Sequence, residues 1–267
     1  MGHFFMIKSN KIVEEHIVTR VENPSPGNYF ITFQAPVDLP EIKPGNFAEI
    51  QVPDAPDVFL RRPFSFLDVD YEKRLVSFYI KVIGKGTKKL AALKVGDKTN
   101  LIYPLGNAYK IAEPNSKVLV VGGGSGIAPF ILLGKAFRQN NIEATFLIGG
   151  RSKADVLLTK ELEAFGKVLS TTEDGSMGEK GMVTHHSVFK PDNFTFDKVY
   201  TCGPDPMMKA VGDLATNAGI PCEASLENMM ACGFGICLCC VTPTHEGNKR
   251  VCLEGPVFNV NYLKWHN

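Results

Sequence analysis

Between residues 232 and 252 the chain gathers five of its seven cysteines, and any fold it adopts must bring them together or hide them. The stretch reads Cys232-Gly-Phe-Gly-Ile-Cys237-Leu-Cys239-Cys240, with Cys252 further on. Cys232, Cys237, Cys240 and Cys252 give C-x4-C-x2-C…C, the spacing with which a tight loop wraps a [2Fe-2S] cluster, each iron taking two thiolates. Gly233 and Gly235 fit the same picture, because backbone without a Cβ can curl around the sulfides and aim N–H groups at them. Four cysteines in nine residues of a small secreted protein would suggest disulfides. Here the chain is long, the cysteine number is odd, and no secretory segment is read ahead of it. Structural zinc is the alternative, since it too takes four thiolates. Zinc sites usually show two separate C-x2-C pairs, and this chain has one, preceded by the x4 spacing. Cys239 is a surplus thiol: strand-like alternation with Cys237 would turn it from the metal, and a ligand register that uses it stays open. A cluster of this kind moves one electron at a time.

At 267 residues the chain holds about two domains of roughly 100–200 residues each. Its hydrophobic content of 44%, with 21% charged residues, is enough to bury substantial cores. With 29 basic and 28 acidic residues the net charge is +1, which gives no bulk electrostatic case for nucleic acid or an anionic membrane. The apolar run Phe4-Phe5-Met6-Ile7 is too short for a signal segment or a membrane span. A cytoplasmic location is the default expectation, and a reducing compartment suits thiolates kept for a metal.

Residues 11–103 read as strands, among them 29–33, 47–52, 63–69 and 75–83, separated by turn clusters such as Asn23-Pro-Ser-Pro-Gly27 and Lys43-Pro-Gly-Asn46. Thr87 to Leu93 is the one helix expected there. Many strands at short intervals suggest a small closed barrel. The second half alternates strand and helix: strand 117–121, helix 127–139 with Pro129 in its first turn, strand 144–148, helix 158–165, strand 168–171, strand 197–202, helix 206–218 and strand 221–226. That alternation means a doubly wound parallel sheet, whose chemistry sits at the carboxyl ends of the strands. The fold class expected is therefore α/β plus a β-barrel.

Gly122-Gly-Gly-Ser-Gly126 ends the first strand of that sheet and can cradle a pyrophosphate on N–H groups at a helix start. It departs from the strict G-x-G-x-x-G pattern, and no acidic residue clearly ends the next strand to hold a ribose. Arg61-Arg62-Pro63-Phe64-Ser65 opens a barrel strand. An arginine there offers a bidentate fork for phosphate, although a solvated edge pair is the plainer reading. Gly84-Lys-Gly86-Thr87 is a second anion-nest candidate, with Thr87 as N-cap, or a plain strand-to-helix turn. Cys202-Gly-Pro204 can lie beside a nicotinamide ring, or Cys202 can simply be core. His185 and His186 adjoin on an expected helix and so face apart, against a shared metal site. Asp174–Gly178 reads as a loop. Ser125 has no evident histidine base and no G-x-S-x-G elbow, which leaves nucleophilic hydrolysis without support.

Taken in order, the barrel, Arg62-x-x-Ser65, Gly84-x-Gly86-Thr87, Gly122-Gly-Gly-Ser-Gly-Ile-Ala-Pro129 and Cys202-Gly-Pro204 resemble the ferredoxin–NADP reductase superfamily. Met230-Ala-Cys232 to Cys237, with Val251-Cys-Leu-Glu-Gly-Pro-Val-Phe258, is similar to the electron-transfer subunits of NAD-dependent (class 1B) dihydroorotate dehydrogenase. The resemblance covers nearly the whole chain after about residue 10. It implies an N-terminal antiparallel FAD-binding barrel (8–110), a doubly wound NAD-binding domain (111–226) and a C-terminal [2Fe-2S] subdomain (227–267). FAD would lie in the barrel cleft, with Arg62, Pro63, Phe64 and Ser65 on the flavin side and Gly84, Gly86 and Thr87 near its pyrophosphate. Phe64 stands where many superfamily members carry tyrosine, so it can stack but lacks the hydroxyl. NAD would lie at Gly122, Gly123, Gly124 and Gly126, with Cys202 as the catalytic candidate by the hydride path. Cys232, Cys237, Cys240 and Cys252 would hold the cluster.

The activity implied is a relay within de novo pyrimidine (UMP) synthesis. A partner subunit carrying FMN oxidises dihydroorotate, and its electrons pass through the cluster to FAD and on to NAD+. A heterotetramer of two plus two is implied, with no nucleic acid and no membrane. A paralogous subunit serving an NADH-dependent ferredoxin:NADP oxidoreductase or a sulfide dehydrogenase would look the same, and a non-enzymatic zinc and nucleotide-binding regulator is the alternative of another class. Val257-Phe258 and Tyr262 to Trp265 either contact the partner or pack on their own domain. Arg151 leaves the choice between NAD and NADP open.

Overall fold

The computed structural model describes residues 11–265; the run Phe4–Ile7 and the first residues of the expected barrel domain lie outside the described residues. Six strands close into an antiparallel barrel: β1 (Ile12–Ser25), β2 (Asn28–Gln34), β3 (Phe47–Ile50), β4 (Arg62–Asp70), β5 (Leu75–Lys81) and β6 (Lys98–Leu105), in the order β1-β2-β5-β4-β3-β6. Closure leaves no free edge. The two-residue period of a strand decides what each side chain meets. On β5, Val76, Phe78 and Ile80 are fully buried in the barrel core. The intervening Tyr79 and Lys81 face the second domain instead. On β3, Ala48 and Ile50 point inward with that core, and Phe47 and Glu49 outward.

Two local expectations about the barrel change. The expected turn Asn23–Gly27 is shorter, because β1 runs on to Ser25. Its pairing with β2 shifts between Glu22 and Ser25, so Pro24 sits at an irregularity where a missing N–H costs no ladder bond. The helix, α1 (Lys85–Ala91), starts two residues earlier than expected, and Thr87 is not its N-cap. Gly84 holds that position, and the buried Thr87 hydroxyl reaches back to accept from the N–H groups of Ile83 (3.0 Å) and Gly84 (3.1 Å).

The second half contributes β7 (Lys117–Gly123), α2 (Phe130–Gln139), β8 (Glu143–Gly150), α3 (Thr159–Glu163), β9 (Gly166–Thr172), β10 (Glu179–Lys180), β11 (Lys198–Cys202), α4 (Asp205–Asn217) and β12 (Cys222–Ser225). A hairpin, β13 (Val241–Thr244) with β14 (Gly247–Arg250), a short α5 (Val251–Glu254) and β15 (Val257–Asn259) follow. The sheet runs β10-β9-β8-β7-β11-β12-β15, parallel except that β15 joins β12 antiparallel. Strand order reverses between β7 and β11, and a doubly wound sheet opens its ligand crevice at that switch point. The expected helix 127–139 divides: Gly124–Ile127 is a 3-10 turn, and Pro129 is the N-cap of α2. His185 and His186 are not on a helix either. His186 joins two 3-10 turns, its Nδ1 accepting from the Val188 N–H at 3.0 Å.

The C-terminal tail packs inward. Val257 and Phe258 are 5% and 6% exposed, and Phe258 stacks on Tyr262 with centroids 6.3 Å apart. Those two residues therefore serve their own sheet and not a partner. One side chain clamps this segment to the end of the barrel. Asn107 donates through Nδ2 to the carbonyls of Glu254 (3.1 Å) and Val257 (2.9 Å), and its Oδ1 accepts from the Val257 N–H at 2.9 Å. Asn107→Ala should cost about 1–3 kcal/mol, because it strands these backbone groups without partners. A lowered denaturant midpoint with an unchanged slope would register the loss.

Candidate functional site

A cavity of about 520 Å³ lies between the start of β4 and the segment 225–230. Arg62, Pro63, Phe64, Ser65 and Thr87 line one side of it, and Ser225, Glu227, Met229, Met230 and Cys239 the other. Arg61 and Arg62 are not a solvated edge pair. Arg61 is committed to Asn100, donating to its carbonyl (2.8 Å) and its Oδ1 (2.7 Å). Arg62 folds over the α1 turn, where a Cβ on Gly86 would stand 2.8 Å from the guanidinium Nε, so a larger residue at Gly86 would push the arginine aside. Phe64 lines the cavity while part of its ring packs on the barrel core.

A second cavity, of about 920 Å³, opens at the switch point. Gly123 and Gly124 line it with Gly149, Gly150, Arg151 and Glu173, and Lys81 and Ile83 form a wall that it shares with the first. The glycine run thus divides its labour. Gly122 is there for packing, since a Cβ would stand 2.4 Å from the Phe130 ring, and Gly126 for close approach, since a Cβ would stand 2.2 Å from the Cys202 carbonyl oxygen. Gly84 has open space around it. Lys81 pairs with Asp155 at 3.3 Å across the shared wall.

Cys202 ends β11, 2% exposed, its sulfur 4.0 Å from Glu227 Oε1. Burial and then the Glu227 charge push its pKa well above that of a free thiol, so it stays a neutral thiol and not a nucleophile. Burial, and then Asp205, also raises Glu227 against the opposing pull of Lys81. Glu227 was not singled out from sequence; its position one residue beyond the last apolar residue of a sheet strand was the available signal.

The cysteine loop is built on left-handed backbone at Gly233 (φ 70°), Gly235 (φ 77°) and Leu238 (φ 59°). This curls N–H groups onto sulfur: Phe234 N–H points at Cys232 Sγ (3.3 Å), Gly235 N–H at Cys252 Sγ (3.1 Å) and Cys252 N–H at Cys240 Sγ (3.3 Å). Desolvation opposes ionising Cys232, yet N–H groups of Cys237, Phe234 and Ile236 outweigh it and bring the pKa down to about 6. Burial, with the Cys240 thiol beside it, pushes Cys252 up to about 12, so a metal bound there displaces a proton. The Cys239 thiol instead turns to the Met229 carbonyl at 3.6 Å and lines the first cavity. Among the described residues no three His, Cys, Asp or Glu side chains converge as on one ion.

Residues 227–264 match the family model described as the iron-sulfur cluster binding domain of dihydroorotate dehydrogenase B, and residues 120–213 match the oxidoreductase NAD-binding domain. The chain is 36% identical over 246 residues to the dihydroorotate dehydrogenase B (NAD(+)) electron transfer subunit of Desulforamulus reducens, covering 90% of this chain and 94% of that one. This chain belongs to that family. The electron transfer subunit of Caldanaerobacter subterraneus subsp. tengcongensis is 39% identical over 234 residues, 86% of this chain and 90% of its own. Among solved structures, one of an NADH-dependent reduced ferredoxin-NADP oxidoreductase superposes with TM-score 0.84 and 29% identity, over 94% of this chain and 90% of that one. A ferredoxin reductase of carbazole 1,9a-dioxygenase (TM-score 0.67, 21% identity, 79% of this chain and 67% of that one) shares the fold.

In a member of this family the approach of Gly126 to β11 should be indispensable. Gly126→Ala sets a Cβ against backbone that has no freedom to move, at a cost of about 1–3 kcal/mol. A lowered melting temperature together with weakened dinucleotide binding checks this.

Proposed function

We propose that this chain is the electron-transfer subunit of an NAD-dependent dihydroorotate dehydrogenase, carrying FAD and a [2Fe-2S] cluster and reducing NAD+. The observation that carries the reading is serial contact. Cys239 and Met229–Met230 of the cysteine segment line the cavity of the Arg62–Ser65 strand, and that cavity shares the Lys81–Ile83 wall with the cavity of Gly123 and Gly124. When bound, the flavin exchanges electrons singly with the cluster and in pairs with nicotinamide, which neither of those can do for the other.

The residues supply binding and positioning. We assign the cluster to Cys232, Cys237, Cys240 and Cys252; the sulfurs of Cys232, Cys240 and Cys252 already receive N–H groups of the loop. We assign the flavin to the cavity of Arg62, Pro63, Phe64 and Ser65, with Gly84, Gly86 and Thr87 shaping the turn that faces its pyrophosphate. The dinucleotide takes the switch-point cavity, its pyrophosphate toward Gly123 and Gly124, with Gly122 and Gly126 keeping the turn tight. Glu227, whose side chain lines the flavin cavity, borders the place where nicotinamide meets flavin, and the neutral Cys202 thiol is buried behind it, 4.0 Å from the carboxyl, without offering a competing nucleophile.

The partner in this proposal is an FMN-containing catalytic subunit that oxidises dihydroorotate, in a heterotetramer of two plus two in the cytoplasm, for pyrimidine (UMP) synthesis. The exposed apolar side chains Met229 (83%), Ile236 (81%), Leu238 (61%) and Leu253 (40%) ring the cysteine loop and suit such docking. Among the described residues no helix is long and apolar enough to cross a membrane. The likeness to the NADH-dependent reduced ferredoxin-NADP oxidoreductase favours a second reading, in which the same modules serve a different partner.

Copurification with an FMN-containing subunit and dihydroorotate-dependent NAD+ reduction by the pair test the first reading; a fully loaded pair inert to dihydroorotate selects the second. Zinc without iron or acid-labile sulfide in anaerobically purified protein would point to a regulator instead. Within the loop, Cys237→Ser should remove most of the iron and the reduced-state EPR signal. Cys239→Ser should retain both, as measured by iron and sulfide content.

A further inference from the structure

Among the described residues, Glu49 is a fully buried acidic side chain that the mechanism above leaves unused. Glu49 lies on β3, opposite Pro63 of β4 and Ile102 of β6, and points out of the barrel. It is 0% exposed, and neither of its carboxyl oxygens has a hydrogen-bond partner. Leaving a carboxyl in that condition is costly, and methionine would fill a similar space without burying a polar group.

Its surroundings are of two kinds. The guanidinium groups of Arg61 and Arg62, at the head of the flavin-side strand, favour its charge; Cys232 disfavours it, and burial, the largest influence, takes the pKa up to about 7. Arg61 does not pair with the carboxyl: its guanidinium is held by Asn100 and reaches only the Glu49 backbone carbonyl, at 3.5 Å. On the opposite side the cysteine loop presses directly on Glu49: a Cβ at Gly233 would lie 3.0 Å from Glu49 Cγ and 3.7 Å from its Oε1. The carboxyl is therefore wedged between the arginines that open the flavin cleft and the Cys232–Gly233 corner.

We propose that Glu49 is a positioning residue for electron flow, its negative charge balancing Arg61 and Arg62 and holding down the reduction potential of the iron–sulfur site at the Cys232–Gly233 corner. This rests on the reading that the loop holds a [2Fe-2S] cluster. The physical reason is charge: an electron added beside the Glu49 carboxylate in its ionised form, in a site shielded from water, meets repulsion that water would otherwise screen, and cluster potentials follow local net charge. The low potential keeps the electron moving on toward the flavin cleft.

Potentiometric titration of the anaerobic holoprotein at alkaline pH, where Glu49 is ionised, followed by the EPR signal of the reduced cluster, tests this with Glu49→Gln and Glu49→Met. Both variants should keep their iron and sulfide and raise the midpoint, by about tenfold in the reduced-to-oxidised ratio, or ~59 mV for a one-electron couple. Equal shifts in the two mark loss of charge, since the variants pack differently; if Glu49→Gln folds poorly, Glu49→Met gives the same reading. A midpoint unmoved or lowered in an iron-loaded variant overturns the proposal and leaves the functional reading standing. Wild-type protein without iron or signal removes both.

Discussion

Everything in this molecule depends on how the cysteine loop is held. Thiols that must come together repel once ionised. The chain answers with backbone N–H groups, aimed at sulfur by left-handed turns at Gly233 and Gly235. Glycine turns are free to open when alone, so the loop is fixed from outside. Gly233 packs on Glu49 and Leu105 of the barrel, Gly235 on Leu253, and the Arg250 guanidinium donates to the Gly235 carbonyl at 3.2 Å. Beyond the last cysteine, Asn107 and β15 anchor the chain to the barrel and to the sheet in turn.

That double anchorage explains why the three sites lie in series. Strand β5 has one face in the barrel core and sends Tyr79 and Lys81 to the cavities outside. Reversal of strand order between β7 and β11 sets the second cavity against Lys81. The antiparallel β15 brings the cysteine segment back across β12, so that residues 225–230 close the first cavity from the far side. Alternation, switch point and return strand each rest on a simple geometric rule, and their intersection is the site.

Much of this was legible in the sequence. The barrel, the alternating second half and the metal loop follow from strand periodicity, βα grammar and cysteine spacing. Local chemistry was harder to read. Thr87 looks like an N-cap because a threonine opens an apolar helical run, yet the preceding glycine takes the position and the hydroxyl works backward from the first turn. The four glycines of 122–126 look equivalent in a motif, whereas two face a cavity and two face neighbouring chain. Arg61 and Arg62 read as a pair, and only the Asn100 side chain, distant in sequence, separates their roles. Glu49 was invisible altogether: a lone acidic residue in a strand reads as an outward, hydrated one, and nothing local tells that a loop from the far end of the chain covers it.

The return of β15 also bears on how the chain is made. Until a nascent polypeptide has been synthesised through Asn259, β12 has no neighbour on its outer side, and that flank of the nucleotide sheet stays open to wrong pairings. Because the loop precedes the closing strand, metal delivery and sheet completion fall in the same late interval of biogenesis.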